Sequence, residues 1–133
     1  MTDVPHQDST ELEEFVRAVQ QRAGLESYDE AHQLCRATVR ALGTSVSGGQ
    51  AKQLAQWLPD VLEAELGDKS GHAERFDKTN FLNKIGGETH TVDMESMERQ
   101  ASAVLSVLRS WVPAEQVDDT IAQLPRELSA LLE

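Results

Sequence analysis

The chain has 133 residues, 39% of them hydrophobic, so it can bury one ordinary core but not two large independent ones. Its 23 acidic residues outnumber its 12 lysines and arginines, and the resulting formal net charge of −11 disfavours direct binding to nucleic acid. The acidic residues are spread along the chain, which fits either a solvated surface or attraction to a basic protein partner.

A single cysteine, Cys35, rules out an internal disulfide and is typical of a reducing compartment. The sequence lacks a run of about 18–20 apolar residues, the length needed to cross a bilayer. Residues 1–10 also lack the apolar core of a signal peptide. We therefore expect a cytoplasmic protein without membrane contact, in which residues 1–9 are disordered.

Residues 10–67 carry start and stop signals for four helices. The first is predicted to start at a capping box formed by Thr10 and Glu13 and to stop at Gly24. Its predicted inward stripe has helical spacing and consists of Leu12, Phe15, Val16, Val19 and Ala23. The second is predicted to start at Ser27, to point Cys35 inward and to stop at Gly43.

The third helix is predicted to start at the capping box of Ser47 with Gln50. Pro59 suits the first turn of a fourth helix that ends at Gly67. Residues 68–76 are polar and glycine-containing, and we predict that they form a linker.

Residues 77–133 are predicted to form four more helices. Asp77 caps the fifth, where Phe76 and Phe81 have the spacing of a hydrophobic staple, and Gly86-Gly87 is predicted to end it. The sixth spans residues 93–110, and its predicted inward positions are Met94, Met97, Ala101, Val104, Leu105 and Leu108. Pro113 and Pro125 are predicted to start the seventh and eighth. An alternating strand pattern of useful length is missing, so the predicted fold class is all-α.

A constant offset of 66 residues aligns positions 15–67 with positions 81–133 without a gap. The superposed pairs include Phe15 with Phe81, Leu42 with Leu108, Gln50 with Gln116, Leu58-Pro59 with Leu124-Pro125, and Leu66 with Leu132. We therefore predict a tandem duplicated helical bundle of about eight helices, in which two pseudo-symmetric halves form one compact domain that unfolds cooperatively.

Three features carry a family resemblance: the Phe15-Val16 helix start that is echoed at Phe81, the segment Val46-Ser47-Gly48-Gly49-Gln50, and the Leu-Pro pairs at Leu58 and Leu124. From about Leu12 to Leu132 the chain resembles the bacterial and archaeal family DUF2267, a domain of unknown function. The resemblance implies an all-helical fold and transfers no activity, cofactor or site residue. Because the second half lacks the glycine pair, we interpret Gly48-Gly49 as a turn rather than an anion site.

The histidines, at positions 6, 32, 72 and 90, form no metal-binding pair at helical spacing. We therefore predict no catalytic residue, cofactor or metal site. The alternative is an enzyme or a metal-dependent or small-molecule binder. It would use histidines and carboxylates around the linker, namely His72, His90, Glu74, Asp77 and Glu88.

Two tryptophans break the repeat, since Trp57 aligns with Gln123 and Trp111 with Ser45. Each could seal the interface between the halves, which is the interpretation we favour, or stand exposed as a contact for a partner. The leading hypothesis is a non-enzymatic interaction module, monomeric or homodimeric, with Trp57 and Trp111 as candidate contacts for an unidentified protein.

Overall fold

The computed structural model describes residues 10–67, 77–89 and 93–132, and all regular structure in these ranges is α-helical. Eight helices occupy them: α1 (Thr10–Ala23), α2 (Tyr28–Ser45), α3 (Gly48–Ala55), α4 (Asp60–Gly67), α5 (Lys78–Thr89), α6 (Met94–Trp111), α7 (Ala114–Gln123) and α8 (Arg126–Leu132). The predicted all-α fold is confirmed. The disordered segment predicted for residues 1–9 and the linker predicted for 68–76 lie outside the described residues.

The apolar stripes predicted from helical spacing form the core. All five predicted positions of α1, from Leu12 to Ala23, are buried, and Phe81 and Ile85 of α5 are buried with them. The inward position predicted for Met94 is wrong, because 41% of the surface of this residue is exposed. It is the first residue of α6, one position after the cap, and the buried part of that helix begins at Met97.

Side-chain caps fix the starts of several helices. The side chains of Ser27, Ser47, Asp77 and Asp93 each accept a hydrogen bond from the backbone N–H three positions later, over 2.8 to 3.1 Å. Thr10 is already helical, so the predicted cap at that position is wrong. The staple predicted for Phe76 lies outside the described residues.

Gly24 stops α1 as predicted, and its φ of +69° lies in the left-handed region. The glycines at positions 43, 86 and 87 do not stop their helices, although they were predicted to. Gly43 lies inside α2, which continues to Ser45. Gly86 and Gly87 lie inside α5, which continues to Thr89. At Gly43, which lies against Leu66 of α4, packing outweighs the weak helix propensity of glycine.

The prolines stand immediately before their helices, one position earlier than predicted. Carbonyl groups of Pro59, Pro113 and Pro125 accept the first backbone hydrogen bonds of α4, α7 and α8. Gly48 and Gly49 form the first turn of α3 rather than a separate turn.

Helix α2 lies at the centre of the packing and contacts α1, α4, α5 and α6. Helix α6 contacts α1, α5 and α8, while α3 lies against α4 and α7. Helices α2, α3 and α4 start 66 positions before α6, α7 and α8, respectively. The duplicated two-half arrangement itself stays a prediction.

Candidate functional site

Trp57 lies at the surface, in the turn that joins α3 to α4. Its exposed fraction is 43%, the largest among the bulky apolar side chains of the described residues. The backbone N–H of Trp57 donates to the Leu54 carbonyl over 3.1 Å, which fixes the turn at the end of α3. The exposed indole is therefore attached to a backbone whose position is fixed by this hydrogen bond.

Trp111, the last residue of α6, has the opposite environment. Its ring lies 5.6 Å from the ring of Phe15, centroid to centroid, with the planes tilted by 59°. Phe15 is fully buried in α1, and Trp111 is partly buried against the core. A tilted aromatic pair of this kind stabilises the packing of α6 on α1 beyond the area that it buries. Trp111 therefore seals the contact between these helices.

A polar contact joins α3 to α7. The Gln50 side chain does not close the predicted capping box; its Nε2 donates instead to Thr120 Oγ1 over 3.0 Å and to the Gln116 carbonyl over 3.3 Å. The backbone N–H of Ser47 donates to Gln123 Oε1 over 2.8 Å. The sequence offered one signal for this contact, since Gln50 and Gln116 are paired by the 66-residue offset.

A charged cluster that sequence reasoning missed joins α2 to α4. Glu65 accepts hydrogen bonds from the guanidinium groups of Arg36 and Arg40, each over 2.8 Å, while only 11% of its side chain is exposed. Burial alone would raise the pKa of the Glu65 carboxyl, but the bonds from Arg40 and Arg36 outweigh it and hold the pKa below its ordinary value. This cluster holds two helices together, and each of its carboxylate oxygens is already occupied.

Comparison with known protein families shows to which family the chain belongs. The sequence matches a family described as an uncharacterized conserved protein over residues 12–131, nearly the whole described fold. The chain belongs to the DUF2267 family. Among curated proteins no match to this DUF2267 chain is found. Family membership therefore supplies the grouping and no activity.

Cys35 of this DUF2267 chain is not a usable nucleophile. Its side chain is fully buried in the middle of α2, and burial raises the pKa of the thiol far above its ordinary value. A reactive cysteine needs a lowered pKa and access to solvent. Cys35 therefore packs as a small apolar residue, as predicted.

The metal-site alternative gains no support from the described residues. Among them, His32 lies 6.0 Å from Tyr28, ring to ring, and no group of three histidine, cysteine or acidic side chains could hold a metal ion. Asp77 Oδ1 accepts from the Asn80 N–H over 2.8 Å and serves as a helix cap. His72, His90, Glu74 and the side chain of Glu88 lie outside the described part of the chain.

A small cavity lies where α5 and α6 meet the start of α2. Its volume is about 70 Å³, and it is lined by Leu25, Glu30, Gln33, Leu34, Thr89 and Gln100. Sites for drug-sized ligands typically measure about 300 to 1,000 Å³, so this cavity holds little more than two water molecules. The helices of the described residues are also too short or too polar to cross a bilayer.

Proposed function

We propose that this chain is a non-enzymatic protein-interaction module and that Trp57 is part of its contact surface. The observation that carries the proposal is the exposed indole on a turn with a fixed backbone. A partner that covers this ring removes a large apolar area from water, and tryptophan is enriched among the residues that dominate binding energy. Trp111 is left out of the proposed surface because its ring supports the packing of α6 on α1.

The proposed partner is a protein with a basic surface. The net charge of −11 favours such a partner at long range and accelerates encounter at low salt. Asp60 and Glu63 are exposed residues of α4, the helix that follows the turn of Trp57. The unpaired, buried Cys35 is compatible with a reducing compartment, so we propose that the encounter takes place in the cytoplasm.

The experiment is affinity capture from the native cell with three baits: the unchanged chain, Trp57→Ala and Met94→Ala. Met94 is the matched control because it is a bulky apolar residue with a similar exposed fraction, 41%, and lies at the start of α6 rather than in the turn of Trp57. We expect Trp57→Ala to lose at least 10-fold of the captured partner, about 1.4 kcal/mol, and Met94→Ala to retain it. Capture should weaken as the salt concentration rises. Identical partners for all three baits would contradict the role of Trp57.

Replacing each tryptophan by alanine should also change the stability of the fold by different amounts. Trp57→Ala should lower the free energy of unfolding by about 1 kcal/mol or less, because 43% of the residue is already exposed to water. Trp111→Ala should lower it by about 2–3 kcal/mol, less than for a fully buried tryptophan because water reaches part of the ring. Urea denaturation of both variants measures these changes. Equal losses would show that Trp57 also supports the fold.

We also propose that residues 10–67 and 77–132 are two copies of one helical unit. Support comes from the 66-residue spacing of helix starts and from the contacts between helices. The contact of α2 with α5 is matched by that of α6 with α1, and the contact of α2 with α4 by that of α6 with α8. Superposing the two halves of an experimentally determined structure tests this proposal, which fails if Phe15 and Phe81 do not coincide.

A further inference from the structure

Residues 10–67 and residues 77–132 share an extensive interface, and each part buries apolar side chains against the other. Helix α2 packs on α5 and α1 packs on α6 across it. Phe15, fully buried, contacts Trp111 of the other part, and the buried Gln50 side chain bonds to Gln116 and Thr120. Separation would expose Phe15 and the other apolar side chains of the interface to water and replace the Gln50 hydrogen bonds by bonds to water. The loss of apolar burial therefore makes each part depend on the complementary one.

We infer that two copies of the chain can exchange these parts and form a dimer. In that dimer, residues 10–67 of one copy pack on residues 77–132 of a second copy. Every contact across the interface is then reproduced between copies. The partner is a second copy of this chain, and exchange of identical elements is a low-cost route to a symmetric dimer.

The interface favours unlike parts over like ones. Phe15 is covered by Trp111, whereas the aligned residue of its own half, Ser45, could not fill the same space. The Ser47 N–H donates to Gln123, whereas the aligned residue Trp57 offers it no acceptor. Two copies of residues 10–67 would lose both contacts, so the pairing must join an N-terminal part to a C-terminal part.

Concentration decides between the closed monomer and the exchanged dimer. The covalent connection gives the two parts of one chain an effective concentration on the order of millimolar. The monomer therefore dominates at micromolar concentration. Refolding near the effective concentration, or shortening the connection, shifts the balance towards the dimer.

The first test removes residues 68–76, which joins the end of α4 almost directly to Asp77. We expect this variant to keep its helical circular dichroism and to have the mass of two chains at micromolar concentration in light scattering. The control carries nine added glycine and serine residues in the same segment and should be monomeric. A folded monomer of the shortened variant would overturn the inference.

The second test holds even if the shortened variant does not fold. The full-length chain carries Cys35→Ala, Ser47→Cys and Gln123→Cys, since Ser47 and Gln123 meet across the interface and neither is buried. It is refolded at about 1 mM and treated with a short bismaleimide cross-linker. A covalent dimer on a denaturing gel supports exchange. Cross-links confined to single chains overturn it, even if the protein is dimeric in solution, because a side-by-side dimer keeps this pair within one chain.

Exchange and the proposed interaction through Trp57 are independent. The indole lies on the exposed turn between α3 and α4, and no contact of the inter-part interface described above involves it. Trp57→Ala should therefore leave the cross-linked dimer fraction unchanged while it weakens partner capture. Failure of one proposal leaves the other intact.

Discussion

Thr38 places a polar atom in the interior of α2. The residue is fully buried, and its Oγ1 has no hydrogen-bond partner among the described residues. A buried hydroxyl without a partner loses its bonds to water and gains none in return, at a cost of about 1–3 kcal/mol. The aligned residue in α6 is Val104, which has nearly the same shape and no hydroxyl.

Thr38→Val should therefore raise the free energy of unfolding by about 1 kcal/mol. Urea denaturation at neutral pH measures the change. Thr38→Ser is the control, because it keeps the hydroxyl, removes a methyl group and should destabilise the fold. A loss of stability in the valine variant would show that the Thr38 hydroxyl is bonded in solution.

Glu65 makes stability depend on pH. The bonds from Arg40 and Arg36 keep the folded-state pKa of Glu65 below its ordinary value of 4.5. The cluster therefore contributes its full stability above the unfolded pKa, and this contribution is lost as the pH falls through the folded pKa. Glu65→Gln should cost about 1–2 kcal/mol at pH 7, because both arginines reach water and do not become buried unpaired charges.

Denaturation at pH 7 and again below the folded pKa of Glu65 checks this prediction. The difference between the unchanged chain and Glu65→Gln should shrink at the lower pH, where the carboxyl group of Glu65 is protonated. Glu63→Gln is the matched control, since Glu63 is an exposed residue of the same helix. A difference that stays constant with pH would mean that packing, rather than charge, explains the loss.

At the scale of helices, Gly43 allows α4 to approach α2 closely. A Cβ atom added at Gly43 would lie 3.0 Å from the Leu66 carbonyl oxygen and 3.2 Å from the Leu66 Cα. Both are backbone atoms, which cannot turn aside as the end of a flexible side chain can. At the 66-residue offset, Gly43 and Leu66 align with Arg109 and Leu132. There the contact is a hydrogen bond instead, since Arg109 Nη1 donates to the Leu132 carbonyl over 2.9 Å.

Gly43→Ala should lower the free energy of unfolding by about 1–2 kcal/mol, because the clash with α4 exceeds the gain in helix propensity of about 1 kcal/mol. Gly49→Ala is the matched control. A Cβ added at Gly49, also within a helix, meets nothing within 4 Å, so this variant should be neutral or more stable. Thermal denaturation of the two variants checks both signs, and a stabilised Gly43→Ala would show that α4 moves aside at little cost.

The sequence predicted the helices and their buried stripes because helical spacing is a local property, as the buried row from Leu12 to Ala23 illustrates. It misjudged Gly43 because the reason for a glycine there is the backbone of α4, which is distant in sequence. For the same reason sealing was the favoured interpretation for both tryptophans, whereas Trp57 is 43% exposed. Whether an indole is covered depends on helices distant in sequence, and Trp111 is covered by α1, at Phe15.

At the scale of the whole molecule, α2 and α6 link the two parts of the chain. Each contacts helices from both parts of the chain, so neither part can unfold without removing support from the other. We therefore expect a single cooperative transition, with equal calorimetric and van't Hoff enthalpies. In a Trp57→Phe background, Trp111 is the sole tryptophan and reports on the contact between α6 and α1.

Gly43→Ala in that background tests the coupling, because its clash lies between α2 and α4 in the first part of the chain. The melting midpoint reported by Trp111 fluorescence should fall by about 3–8 °C, in step with the midpoint from circular dichroism, which reports all helices. If the circular dichroism midpoint fell while the Trp111 midpoint stayed fixed, the two parts would unfold separately. The packing of α2 on α5 and of α1 on α6 would then contribute too little to make one cooperative unit.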